Sequence, residues 1–226
     1  MARIQAVQAL AARIKPDIRM NPLLLKPLGN NKSEIILGGL KNLRLNVEEY
    51  YNDFVLQKGF PKVLQDLQSL MKENDLIMIE GAGSPAEINL KDHDIANMVL
   101  AEKVNSKVLL VADIERGGCF AAIVGTIKLL SNRQRELVKG IVINRFLGQK
   151  SILEKAIISV EKLTNKKVLG VVPKTEFNLP NEDSLDQKNE KSSYDKRYID
   201  EQIDYLASTV KRNIDMKYLL NVVKMK

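Results

Sequence analysis

Four short apolar runs recur along the middle of the chain, and each is continuous rather than alternating. They are Asp75-Leu-Ile-Met-Ile-Glu80, Val108-Leu-Leu-Val-Ala-Asp113, Gly140-Ile-Val-Ile-Asn144 and Val168-Leu-Gly-Val-Val-Pro173. A strand covered on one face alternates apolar and polar positions, whereas one covered on both faces reads as an unbroken apolar run. Between the runs lie stretches with a helical period, from about Asp92 to Lys103, from Gly117-Gly118 to Leu130, and from about Ile152 to Leu163. Buried strands spaced by helices predict a parallel sheet in a doubly wound, three-layer α/β fold.

Upstream, Leu23-Leu-Leu-Lys-Pro27 and Glu34-Ile-Ile-Leu37 predict two strands around the turn-rich Gly29-Asn-Asn-Lys32. A long helical stretch from about Asn46 to Lys72 follows, with a candidate break at Gly59-Phe-Pro61. The opening Met1 to Ile14 is amphipathic, carries Arg3 and Arg13, and lacks acids, which are features of a transit peptide. It also lacks the serines of such peptides and runs straight into patterned sequence, so it is read as a helix of the folded domain. Residues 181–198 are dense in Asp, Glu, Lys, Ser and Asn and read as a charged loop or linker. A helical period resumes from Ile199 to Lys211, and Tyr218 to Lys226 is a short apolar stub with a basic end.

Composition narrows the function classes. With 226 residues, 45% hydrophobic and 28% charged, the chain is long enough for a sizeable core and ordinary for a globular protein. No stretch reaches the roughly 18 apolar residues of a membrane helix, so no membrane partner is expected. The lone Cys119 excludes a disulfide framework and fits a reducing, cytoplasmic setting, and the lone His93 argues against an imidazole-built zinc site. The balance of 35 basic and 28 acidic residues gives +7, but the cations are scattered, aromatics are 5% and Trp is absent. That is a lysine-rich surface rather than a nucleic-acid face.

Ligands of an open parallel sheet bind beyond the carboxyl ends of its strands. The residues there are Glu80 with Gly81 and Gly83, Asp113 with Arg116, Gly117 and Gly118, Asn144 with Arg145, and Pro173. A strand-end carboxylate followed by glycines can hold Mg2+ against a triphosphate, while the glycines let backbone N–H groups approach anionic oxygens. The plainer readings are a capping or salt-bridged acid for Glu80 and neutralisation of Asp113 by Arg116. Asp92 and Asp94 sit where carboxylates commonly cap a helix, and Gln5 and Gln8 share one helix face. Cys119 follows Gly-Gly at a helix start, where thiols can be activated, but without a histidine base nearby in the pattern it is a poor nucleophile candidate.

Glu80-Gly-Ala-Gly-Ser-Pro-Ala-Glu-Ile-Asn-Leu90, followed by Asp94 and Asn97-Met98, closely resembles the central signature of the cobyric acid synthase family. Further matches run in family order: Arg3-Ile-Gln5-Ala-Val-Gln8-Ala-Leu-Ala-Ala12, Met20-Asn-Pro-Leu-Leu-Leu-Lys-Pro27, Ala112-Asp-Ile-Glu-Arg-Gly-Gly118, Gly125-Thr126, Gly140 to Asn144, Gly170-Val-Val-Pro173 and Glu182-Asp-Ser184. The resemblance implies a dethiobiotin-synthetase-like P-loop domain over residues 1–180, then the linker and a C-terminal helix and tail over 199–226. It implies a ligase of cobalamin biosynthesis that amidates carboxylates of the corrinoid adenosylcobyrinic acid a,c-diamide. ATP and Mg2+ would activate each carboxylate as an acyl phosphate, and ammonia from a glutaminase domain would displace the phosphate. Carried over by motif, Glu80 would be a Mg2+ ligand, and Glu80 and Asp113 the catalytic carboxylates. Gly81, Gly83, Arg116, Gly117, Gly118, Asn144 and Pro173 would line the nucleotide crevice, with Asn144 at the adenine edge. Gln5, Gln8, Asn21, Lys26, Asn89 and Asp94 would lie near the corrinoid.

The chain departs from the family where it matters for turnover. No Gly-Lys-Ser or Gly-Lys-Thr loop is present, nor a Cys-His-Glu glutaminase set. The expectation is a chain inactive by itself, with an unpaired edge where a P-loop strand belongs; a separate polypeptide carrying that loop is one source of the missing part. The alternatives are a non-catalytic remnant and a binding or regulatory protein of the partition-ATPase-like P-loop superfamily.

Overall fold

The computed structural model describes residues 2–179 and 196–224, so Glu182-Asp-Ser184 and most of the expected linker lie outside the described residues. The chain divides into two compact units. One comprises Met1–Glu80 with Asn178–Ile203, and the other Gly81–Phe177 with Asp204–Lys226.

The first unit opens with helix α1 (Arg3–Ala11), as the amphipathic start predicts. An antiparallel meander follows, β1 (Leu23–Gly29), β2 (Lys32–Leu37) and β3 (Leu40–Asn46). Both connections are two-residue turns with positive φ, Asn30-Asn31 at 50° and 56° and Gly38-Gly39 at 56° and 82°. Asn and Gly are the residues that tolerate this left-handed backbone, which matches the twist of a hairpin. β3 was not legible in the sequence. A bulge at Ile35/Ile36 puts its apolar positions Leu40 and Leu43 three residues apart, which hides the period of two.

Asn46 then caps a helix: its side chain accepts from Glu49 N at 2.9 Å while Glu49 accepts from Asn46 N at 2.8 Å. The helix runs through α2 (Val47–Glu49), a wide-turned π segment (Tyr50–Gly59) and α3 (Phe60–Glu73). The candidate break at Gly59–Pro61 is therefore not a break. Pro61 stands in the first turn of α3, directly after the wide-turned segment, where its missing N–H is tolerated. Tyr50, Phe54 and Val55 bury the inner face of this run.

Asp75–Glu80, read as the first buried strand, forms no strand. Its backbone pairs with no ladder among the described residues, and Leu76, Met78 and Ile79 are 54%, 81% and 46% exposed. A strand is held by its neighbours' N–H and C=O groups, so an apolar run without them stays irregular.

The second unit is the parallel sheet. After a 3-10 turn (Ile88–His93), α4 (Met98–Lys103) starts later than the predicted Asp92. Then come β4 (Val108–Asp113), α5 (Cys119–Leu129), α6 (Asn132–Leu137), β5 (Val138–Phe146), α7 (Glu154–Thr164) and β6 (Val168–Pro173). The strand order is β4-β5-β6, all parallel. Ile141, Ile143 and Val171 meet Cys119 and Ile123 of α5 and Val160 of α7 on one face. On the other face Val142, Leu169 and Val172 meet Ile214 and Tyr218. This double covering is why the β5 run is apolar throughout. Full burial of Ile123, Ile141 and Ile143 contributes about 2–3 kcal/mol each. Among the described residues β4 is paired on one side only, and its Val111 is 57% exposed.

Helix α8 (Lys196–Asn213) crosses the unit boundary in sequence, and α9 (Met216–Lys224) forms from the apolar stub. Tyr218 of α9 donates to Lys139 O at 2.9 Å, and an antiparallel bridge joins Gly170 to Ile214. No helix among the described residues is long and apolar enough to cross a membrane.

Candidate functional site

In the second unit the strand register sets Asp113 beside Asn144 and Phe146 beside Pro173, so the three strand ends share one edge. Asp113 is tied on both oxygens. It accepts from Glu115 N at 2.9 Å and from an Arg145 guanidinium N–H at 2.9 Å. Arg145, not Arg116, neutralises it, because register places the residue after Asn144 next to Asp113, whereas Arg116 stays exposed in the loop beyond β4. The amide oxygen of Asn144 accepts from Arg145 N at 2.9 Å, and among the described residues its NH2 has no acceptor. Pro173 O accepts from the Thr175 hydroxyl at 3.1 Å.

Gly117 and Gly118 have φ of 72° and 68°, and a Cβ at either would meet nothing within 4 Å. Their requirement is therefore conformational: two left-handed residues turn the chain from the β4 end into α5. Cys119, the first residue of α5, is buried, and burial, then the Asp113 charge, pushes its thiol up. That is the reverse of an activated thiolate.

Gly81 is fixed by packing, since a Cβ there would collide with the Asn97 side chain. Asn97 donates to Ala82 O at 2.7 Å. Gly83, at φ 70°, has open space around it. Asn89 is exposed on the 3-10 turn. Asp94 caps the start of α4, accepting from Asn97 N at 3.1 Å, Asn97 Nδ2 at 2.9 Å and Met98 N at 3.2 Å. Burial nevertheless raises its carboxyl above the ordinary aspartate value, with those donors pulling the other way.

The remaining candidates lie in the first unit. Glu80 is exposed and accepts a hydrogen bond from the Gln8 amide, a contact across 72 residues that no sequence pattern signals. Gln5 on the same helix and Asn21 each hold a buried side-chain oxygen without a partner among the described residues. Such acceptors are uncommon in folded chains, and Asp66 holds a third. Lys26 is exposed, opposite Glu34 in the hairpin.

Three charged residues of the strand-end edge had no assigned role from sequence: Glu115, Arg145 and Lys174. Glu115 pairs with both Arg145 and Lys174, and the Lys174 hydrogen bond, then the Arg145 charge, hold its carboxyl below the ordinary range. Their one sequence signal is position, since Arg145 and Lys174 directly follow Asn144 and Pro173. Among the described residues no group of three or more His, Cys, Asp or Glu side chains converges as a metal site.

The family described as the AAA domain matches residues 44–178. A Thermococcus kodakarensis protein described as a probable cobyric acid synthase is 50% identical over 82% of this chain, which covers 38% of that protein. Cobyric acid synthases of Acaryochloris marina and Desulfitobacterium hafniense are 50% and 47% identical over 80% and 82% of the chain, and 36% of each is covered. The chain thus spans little more than a third of the length of these relatives. No solved structure matches it.

Proposed function

The chain belongs to the AAA-domain family, with an α/β sheet of P-loop type, and we propose that it forms part of an ATP-dependent amide ligase. In this reading the ligase converts carboxylates of adenosylcobyrinic acid a,c-diamide into amides, in cobalamin biosynthesis. The observation that carries it is half-identity to cobyric acid synthases over four-fifths of the chain. Turnover in this reading draws on a Gly-Lys-Ser/Thr loop and a glutaminase set besides these 226 residues. Ammonia would come from a glutaminase part, and the P-loop from a further segment or a separate polypeptide.

A carboxylate is a poor electrophile, and amide formation needs its oxygen turned into a leaving group. Mg·ATP, when bound, supplies the phosphoryl group for that activation. Mg2+ commonly takes one or two carboxylates and fills its remaining positions with phosphate oxygens and water. The exposed Glu80 carboxylate, held among the described residues by a neutral amide, fits that demand. Asp113 is steadied by Arg145 and the Glu115 N–H at the strand end. Gly117, Gly118, Gly81, Gly83, Arg116 and Pro173 would border the nucleotide, and the Asn144 NH2 would donate to a ring nitrogen. The unpartnered oxygens of Gln5 and Asn21 would accept from corrinoid amides, with Gln8, Lys26, Asn89 and Asp94 alongside.

The test is reconstitution. This chain is mixed with the P-loop and glutaminase segments of a cobyric acid synthase, and amide products are followed by mass spectrometry with Mg·ATP and glutamine. Amides are expected only from the complete mixture, and Glu80→Gln should remove most of the turnover, on the order of a hundredfold. Absence of amides from the complete mixture, or unchanged turnover and Mg2+ dependence in Glu80→Gln, overturns the reading.

A further inference from the structure

We propose that Arg145 and Lys174 form an anion cradle at the carboxyl end of the parallel sheet, and that Glu115 fills it until a phosphate or carboxylate ligand takes its place. The two cations come from different strands. Arg145 is the second-to-last residue of β5, and Lys174 is the first residue past β6, its N–H bonded to Phe146 O at 2.9 Å. Both reach the same Glu115 carboxylate, while Arg145 also holds Asp113 at 2.9 Å. One carboxylate shared by two cations from two strands occupies the position that an external oxyanion would need. The planar Arg fork and the Lys point charge bind phosphate by the same geometry as carboxylate.

Two observations make Glu115 displaceable. The pairs are exposed, with Arg145 at 47%, Lys174 at 44% and Glu115 at 30% of full side-chain exposure. Water competes with such pairs, so they hold weakly. Glu115 lies in the β4–α5 loop, where Gly117 and Gly118 have left-handed backbone and empty space beside them. Arg145, by contrast, is anchored. Its backbone sits at φ 62°, outside the range most residues adopt, and the Asn144 oxygen accepts its N–H at 2.9 Å. Non-glycine residues held in this region gather at ligand sites, where surroundings impose the conformation. With Glu115 swung out, Arg145, Lys174 and Asp113 are left with a net positive charge, which favours an incoming anion.

The proposal deepens the reading above, which it needs only for the identity of the physiological anion, a nucleotide phosphate or a substrate carboxylate. Its test requires no turnover, so the two can fail separately. The full 226-residue chain is titrated calorimetrically at low salt with inorganic pyrophosphate and, separately, with succinate. Glu115→Gln should tighten binding of the favoured anion about tenfold, by removing a competing charged hydrogen bond. Adding Lys174→Gln to that variant should abolish the gain, and Lys155→Gln on α7 should change nothing. A gain with pyrophosphate alone assigns a phosphate, and an equal or larger gain with succinate assigns a carboxylate. Equal affinities in the wild-type chain and Glu115→Gln, a gain that survives Lys174→Gln, or no binding of either anion by any variant overturns the proposal.

Discussion

Two six-residue runs, Asp75-Leu-Ile-Met-Ile-Glu80 and Val108-Leu-Leu-Val-Ala-Asp113, have the same apolar interior and the same carboxylate end. The second is β4, bonded in register to β5 from Leu109–Gly140 to Asp113–Asn144. The first has no ladder partner among the described residues and leaves Met78 81% exposed. Apolar character makes a segment eligible to be a buried strand. Only a neighbouring strand in the right direction makes it one, because backbone groups left unpaired cannot be buried. The consequence reaches the chemistry. Asp113 is held in a defined network at a strand end, whereas among the described residues Glu80 has one amide contact, to Gln8.

The largest expected effect tests that contrast directly. Ile141 is fully buried in β5, and Ile141→Ala should cost about 3 kcal/mol in urea denaturation of the second unit. Met78→Ala should stay within about 0.5 kcal/mol, since an exposed side chain leaves no cavity. Similar losses at both positions would mean that Asp75–Glu80 is packed after all.

A smaller effect sharpens the comparison among glycines. A Cβ on Gly140 would lie 2.7 Å from Leu169 Cγ, so Gly140→Ala should cost about 1–3 kcal/mol through overpacking. Gly83 has open space but φ 70°, so Gly83→Ala carries only backbone strain, about 1 kcal/mol. If thermal melts rank the two in the opposite order, the close approach of β5 to Leu169 is wrong.

The smallest effect is a pH dependence at the β4 end. Lys174 and Arg145 depress the Glu115 carboxyl below its ordinary 4.5. A folded-state pKa lower than the unfolded one stabilises the fold above the unfolded value, and that contribution is lost as pH falls through the folded pKa. Glu115→Gln should therefore lower the melting temperature slightly at neutral pH and flatten its decline below pH 4.5, so that the two chains converge in acid. An unchanged acid limb would show that Glu115 is not paired in solution.

Sequence reading reached the α/β class, three of the four parallel runs and the helices between them, because burial on both faces writes itself as continuous apolar residues. The Asn-Asn turn was legible for a similarly local reason, whereas the Asn46–Glu49 capping box was not read. β3 escaped through its bulge, and α6 through its brevity, although its Ser131–Gln134 capping box is in plain view. Among candidate site residues, position at the end of an apolar run marked Glu80, Asp113, Asn144 and Pro173, although the run before Glu80 forms no strand. It could not say that Arg145 rather than Arg116 meets Asp113.

By itself, then, the order of residues determined local preference: which segments are apolar, where glycine or asparagine permits a turn, and which carboxylates end a run. The tertiary structure alone decided pairing. Whether a run becomes a strand, which cation reaches which acid, and which glycine is hemmed in by a neighbour all depend on contacts between residues far apart in the chain. Glu115 with Lys174 and Gln8 with Glu80, 59 and 72 residues apart, are cases in point. Such contacts form only when strand register and helix packing bring the partners within reach, and no local pattern encodes that distance.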